Sequence, residues 1–391
     1  MHAYRTSLLI IIGLGVFLAA CGGATEIDSI QQPTITPQPT SFASPSPPAT
    51  STVAPTRTLG PSTATATALP LPTTTPQPTT TPVNDWLLLD SSGPSPRSGM
   101  SFAYDSTQDR LILFGGTCSG YACADTWQYT SANGWQLIDT PGPSAREAAY
   151  MTYDSARQKV VLFGGHVWAG EHLDDTWEFD GSRWMQIQTA VTPPHRSNQG
   201  IAFDETRQIV VMFGGWNDSQ LDQDILGDTW EYDGTNWTSI NTPLAPAARS
   251  NMQLVYAPNL GGVLLFGGIG RDAVHYNDTW LYNAQGWTQL QPTQSPPPRY
   301  GHQMAYHALH HTLILFGGTS FDATITFFTY ADTWQFDGRT WALATPAHSP
   351  PPTWNAGFAY YPPIAGILMF GGNSPHQNDL NQDLWVYNSP Q

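Results

Sequence analysis

Arg110-Leu111-Ile112-Leu113-Phe114-Gly115-Gly116 is the stretch that decides the fold. Its apolar run suits a strand buried on both faces, and the Phe-Gly-Gly that ends it returns at Phe163, Phe213, Phe266, Phe316 and Phe370. Successive copies lie about 50 residues apart, and a unit of that length cannot bury its own apolar face, so neighbouring units must stack into a repeat array.

Outward from that stretch, a lead-in segment runs from Arg97 to Asp105 on one side. On the other, after a variable loop, Asp125-Thr126-Trp127-Gln128-Tyr129 alternates with the period of a strand, and Gly134-Trp135-Gln136-Leu137 supplies a fourth strand before a Pro-rich link. The next four copies repeat the order, with Arg146, Arg196, Arg249 and Arg299 leading in. Their third strands begin Asp175-Thr176-Trp177, Asp228-Thr229-Trp230, Asp278-Thr279-Trp280 and Asp332-Thr333-Trp334. The sixth copy has Thr353 in place of the arginine, reads Asp383-Leu384-Trp385, and keeps no fourth strand. Asp85-Trp86-Leu87-Leu88-Leu89, near the other end, carries the missing pattern. The prediction is an all-β, six-bladed propeller over residues 84–391, its last blade completed by the amino-terminal strand so that no sheet edge stays open.

The double glycine after the second strand, the aromatic third strand and the tryptophan opening the fourth resemble the kelch family over nearly all the chain beyond residue 84. The galactose oxidase central domain and the bacterial N-acetylneuraminate epimerases are similar repeat arrays. The resemblance implies a kelch-type propeller; it leaves function open, because the family holds both oxidase-like and binding members and sites are grafted onto folds.

Residues 1–20 read as a signal peptide: Arg5 precedes an apolar stretch from Leu8 to Ala20, short for a membrane span. Leu18-Ala19-Ala20-Cys21 resembles the bacterial lipobox, which implies that Cys21 is lipidated; a plain secretory signal is the alternative. Residues 21–83 are nearly all Thr, Pro, Ser and Ala and read as a disordered tether, reaching at most about 190 Å at about 3.1 Å per residue. The expected location is the extracytoplasmic face of a cell membrane, held by the lipid alone.

Cys118 and Cys123 share one short loop, where a disulfide is expected outside the cytoplasm; two free thiols are the alternative. With 30 acidic against 14 basic residues and a net charge of −16, the chain would repel nucleic acid and anionic lipid, so neither is an expected partner.

The repeats provide an internal control: residues present in every copy hold the copy together, and a ligand site draws on those that vary. Of 15 tryptophans, twelve occupy the two repeated positions on third and fourth strands and are assigned to packing. Trp168, Trp216 and Trp354 fall outside that pattern, in loops that emerge on one face. Tyr121, Tyr276, Phe321, Phe327, Phe328 and Tyr330 join them there. Such aromatics suit stacking on sugars or anchoring a peptide; packing the loops together is the plainer alternative.

Arg97, Arg146, Arg196, Arg249 and Arg299 open the inner strands on the same face. They read either as a carboxylate-binding ring or, preferably, as staples to the repeated Asp125, Asp175, Asp228, Asp278 and Asp332, with Asp383 as the sixth such position. Thr353 then marks a gap beside Trp354 open to a ligand.

No catalytic constellation emerges, for the chain lacks a serine elbow, a phosphate loop and helical histidine pairs. Copper oxidation is disfavoured because its crosslinked cysteine has no candidate outside Cys118 and Cys123. Sugar epimerisation stays open, with His302, Arg299 and Glu171 as possible acid–base groups. Acidic loops at Asp218, Asp222 and Asp224, and at Asp379 beside Asn378 and Asn381, read as solvated rather than as calcium sites. The expectation is a cofactor-free, metal-free, single-copy recognition module for carbohydrate or extracellular protein, with Arg299 and His302 among its contacts. An epimerase or mutarotase and an envelope scaffold are the alternatives.

Overall fold

Arg110–Phe114 is buried along its whole length, as are Gly262–Phe266 and Gly366–Phe370. Each is the second strand of a four-stranded antiparallel sheet and meets other sheets on both faces, which is why Leu, Ile, Val and Phe fill it without alternation. The computed structural model describes residues 84–167, 170–219, 222–324, 326–375 and 380–388, all within the unit Thr81–Gln391, with backbone alone at 218–219 and 222–224. The expectations for the signal, Cys21, the linker, Trp168, Asn378 and Asp379 lie outside these residues.

Among the described residues there are six four-stranded sheets. Sheet 1 takes Ser101–Asp105, Arg110–Phe114, Thr126–Thr130 and Gly134–Ile138 in that order. Sheets 2 to 5 repeat it from first strands Tyr150–Asp154, Gly200–Asp204, Gln253–Ala257 and Gln303–His307. Sheet 6 holds Gly357–Tyr361, Gly366–Phe370 and Leu384–Asn388, and its outer strand is Asp85–Asp90, pairing Trp86 with Tyr387 and Leu88 with Trp385. No helix among the described residues is long and apolar enough to cross a membrane.

Apolar side chains pack between consecutive sheets rather than around one centre. Val211 and Phe213 of sheet 3 meet Leu254 and Val263 of sheet 4, and Leu111 and Leu113 of sheet 1 meet Leu368 and Phe370 of sheet 6. Five fourth-strand tryptophans stitch these seams. Trp184, Trp237, Trp287, Trp341 and Trp86 donate their indole N–H to Thr126, Thr176, Thr229, Thr279 and Thr333 of the preceding sheet, at 2.9–3.1 Å. At the sixth seam Leu384 stands where the threonine would be, and Trp135 Nε1 is buried without an acceptor.

The Phe-Gly-Gly glycines are required by close approach. Gly115 and Gly116 have φ of 65° and 92°, and a Cβ on either would come within 2.7 Å of a carbonyl oxygen, of Arg146 and Ser98 respectively.

A second closure lies at the lead-in segments. Gly99, Ala148, Asn198, Asn251, Gly301 and Asn355, each two residues past the arginine position, all have φ between 53° and 62°. The amide of each donates to the carbonyl of the one before, at 2.8–3.0 Å, and Gly99 donates to Asn355, which closes the circuit. Left-handed backbone turns each N–H toward its neighbour, and Gly and Asn tolerate that conformation best.

Candidate functional site

The end of the molecule bearing this circuit also carries the loops that follow Phe-Gly-Gly. Backbone bridges Glu147–His166, Ser197–Trp216, Ser250–Ile269, Tyr300–Thr319 and Trp354–Asn373 tie each lead-in to its own sheet's loop. The two sets of loops thus form one face.

The five arginines of that face are buried, and their donors are consumed inside the fold. Arg97 gives Nε to the Ser95 carbonyl at 3.0 Å and Nη1 to the Gly115 carbonyl at 3.1 Å. It grips Asp125 through Nη1 at 2.7 Å and Nη2 at 2.8 Å. Arg146 with Asp175, Arg196 with Asp228, Arg249 with Asp278 and Arg299 with Asp332 repeat the arrangement at 2.5–2.9 Å. Each of these aspartates also accepts the indole N–H of the tryptophan two residues on, as Asp332 does from Trp334 at 2.7 Å. Burial alone would raise the carboxyls of Asp125, Asp228 and Asp332, but the bidentate arginine outweighs it and holds them below the ordinary carboxylate range.

Tyr276 and Tyr330 lie over the guanidiniums of Arg249 and Arg299, at 3.8 and 4.0 Å from ring centroid to Cζ. Tyr276 thus roofs an internal ion pair. His302 is also buried; its ring meets Phe266 edge-on at 5.4 Å, and neither nitrogen has a partner. Burial, reinforced by the charge of Arg299, pushes its pKa down to about 3. Arg299 and His302, expected among the ligand contacts, are therefore interior groups with no exposed surface. A guanidinium so deeply placed is retained by its carboxylate, and an imidazole so desolvated stays neutral.

Other aromatic candidates do reach the surface. Tyr121 is 66% exposed and Phe327 61%, with Phe328 beside it at 47%. Phe327 continues inward through Phe321 at 5.4 Å, and Phe321 lies edge-on to His275 at 4.4 Å, which stacks on Tyr300. Trp216 and Trp354 are half-buried at their bridges. Cys118 and Cys123, with Cα atoms 6.1 Å apart, form a disulfide within the hairpin that presents Tyr121, where Cys118 pairs opposite Tyr121.

One grouping escaped sequence reasoning. His166 and His172 stack at 5.4 Å, His195 lies 6.4 Å from His172, and Trp216 meets His172 edge-on at 5.1 Å. His166 Nε2 is 2.9 Å from Glu147 Oε1. Burial, then the neighbouring His166 and His195, pushes His172 down to about 4. Among the described residues no group of three or more His, Cys, Asp or Glu is placed to hold a metal ion.

Along the axis the six first strands line a channel of about 440 Å³. Its walls are largely apolar and aromatic, with Ser106, Thr152, Ser155, Gln253, Gln303 and the carboxylate of Glu205 among the polar groups. Burial pushes the Tyr150 hydroxyl up to about 12, so it stays protonated at neutral pH.

Residues 79–268 and 261–391 match the KLHDC2/KLHL20/DRC7 Kelch-repeats domain. A solved structure described as "Structure of YjhT" superposes with a TM-score of 0.60 at 14% identity, covering 76% of this chain and 99% of the other. That identity speaks for the fold alone. No curated protein matches.

Proposed function

The chain belongs to the kelch-repeat family, and on that premise we propose that it is a recognition module, a six-bladed propeller that binds an extracellular protein or carbohydrate through its loop face and performs no chemistry on it. The observation that carries this reading is a division of labour on that face. The arginines are spent on internal aspartates and His302 is sealed inside, while Tyr121, Phe327 and Phe328 are presented outward. Exposed aromatics on a rigid frame contribute stacking and apolar contact at small entropic cost. An acid–base reaction needs groups that can exchange protons with a substrate; Arg299 and His302 have no surface through which to do so, which leaves the exposed Glu171 without the two partners expected beside it.

In the same proposal Cys21 carries the lipid, residues 21–83 form the tether, and a single copy works at the extracytoplasmic face. Labelling cells with an alkynyl fatty acid tests the anchor: label is expected on the wild-type chain and not on Cys21→Ala. Thermal shift against neutral sugars, sialic acids and other acidic sugars, beside capture of envelope proteins, tests recognition. A ligand retained by the wild type and lost in Phe327→Ala supports it; conversion of any panel sugar to an epimer overturns it.

A further inference from the structure

Sheet 6 keeps the frame that holds an arginine in every other sheet, but lacks the arginine. Gly371 donates to the Asp383 carbonyl at 3.3 Å as Gly317 does to Asp332, and Thr353 donates to the Tyr330 carbonyl at 3.3 Å as Arg299 does to Tyr276 at 3.1 Å. Gly372 donates to the Arg97 carbonyl at 2.8 Å as Gly116 does to Arg146 at 2.9 Å. The backbone around the missing side chain is therefore in place.

Thr353 replaces only part of what is missing. Its hydroxyl donates to the Pro351 carbonyl at 2.7 Å, the acceptor two residues back that takes Nε in the other sheets. The acceptors that elsewhere bind Nη1 and Nη2 are the carbonyl after the Phe and the aspartate carboxylate, here Gly371 and Asp383. Among the described residues neither is engaged by a side-chain donor, and Asp383 is half-buried, as its counterparts are. Trp385 Nε1 is buried without a partner, although its five equivalents all donate to their aspartate. Among the described residues the Asp383 carboxylate therefore makes neither of the side-chain contacts, to an arginine and to an indole, that its five counterparts make.

We propose that the unengaged acceptors beside Thr353, the Gly371 carbonyl and the Asp383 carboxylate, form a binding site for a guanidinium group supplied from outside, by an arginine side chain of a partner polypeptide or by a small guanidino compound. The planar fork of a guanidinium matches two carboxylate oxygens and a carbonyl, and an ammonium does not. A net charge of −16 draws cations toward the chain. Binding fixes the Asp383 carboxylate where it can accept the Trp385 indole N–H as its counterparts do, so the indole N–H signal of Trp385 reports occupancy. The site is separate from the exposed aromatics, and its failure leaves the recognition reading standing.

The test is calorimetric titration of the full chain with N-acetyl-arginine amide, with the citrulline and lysine amides as controls, alongside NMR of the indole N–H signals. Arginine amide is expected to bind and to shift the Trp385 signal downfield, with the citrulline and lysine amides at least tenfold weaker. Asp383→Asn is expected to weaken binding at least tenfold. Thr353→Arg, which supplies the guanidinium internally, is expected to abolish binding and raise Tm. A peptide carrying the arginine that binds tenfold tighter than the amide identifies a polypeptide source; equal affinity identifies a small guanidino ligand. No arginine binding by the wild type, or equal binding of arginine and citrulline, overturns the proposal.

Discussion

Trp341 donates its indole proton to Thr279 Oγ1 at 3.1 Å, joining the outer strand of sheet 5 to the third strand of sheet 4. Both residues are buried, so the hydroxyl cannot be replaced there by water without rearrangement. Thr279→Val keeps the shape and removes the acceptor, and urea denaturation is expected to show a loss of about 1–3 kcal/mol. Trp135 offers the contrast, since its indole already lacks an acceptor beside Leu384. Trp135→Phe is therefore expected to cost less than Trp341→Phe.

Asp332 neutralises Arg299, whose side chain has no exposed surface. Asp332→Ala strands that charge, and the expected cost is about 3–5 kcal/mol. The paired change Arg299→Met with Asp332→Ala is expected to recover part of it. A double-mutant cycle measures the coupling.

His302 occupies the position held by Met100 and Met252 in sheets 1 and 4, yet both its nitrogens are buried without partners. Replacing it with a side chain the fold already accepts removes that desolvation penalty. His302→Met is expected to stabilise the protein by about 1–3 kcal/mol, read as a higher Tm.

Three buried histidines are expected to make the protein acid-labile. Burial depresses His302 to about 3, and burial with neighbouring histidines depresses His172 and His307 to about 4. The unfolded chain takes up these protons near pH 6.5 while the folded chain refuses them. The stability is thus fully present above about pH 6.5 and is lost as pH falls toward the folded values, by about 1.4 kcal/mol per pH unit for each histidine. Urea midpoints are expected to hold between pH 7.5 and 6.5 and to fall from there to pH 5, less steeply in His302→Met.

Much of this was legible because the chain repeats itself. The Phe-Gly-Gly runs, the tryptophan positions and the arginine–aspartate pairs recur in phase, so the structural role of Arg97 or Asp125 follows from its having counterparts. The all-β class and the stacking of four-stranded sheets could be read the same way. The left-handed circuit from Gly99 to Asn355 was hidden. It exists only once the array closes, and its one sequence trace is a Gly or Asn two residues past the arginine position, with Ala148 breaking even that pattern. The loop face was legible only in composition. Tyr276 and Phe327 look alike in a sequence, yet one covers a guanidinium and the other projects outward from the hairpin of Thr319–Phe321 with Phe327–Thr329. Tyr276 and Tyr330 each stand two residues before the aspartate, and that shared spacing was the available sign of their roofing role.

The central claim, recognition through exposed aromatics without turnover, is tested most directly by exposing the full chain and its Tyr121→Ala/Phe327→Ala double variant to a glycan array and an envelope-protein extract in parallel. The account predicts a defined set of ligands retained by the wild type and lost at least tenfold in the double variant, with its Tm unchanged. Retention of the same set at the same affinity by the double variant would contradict it.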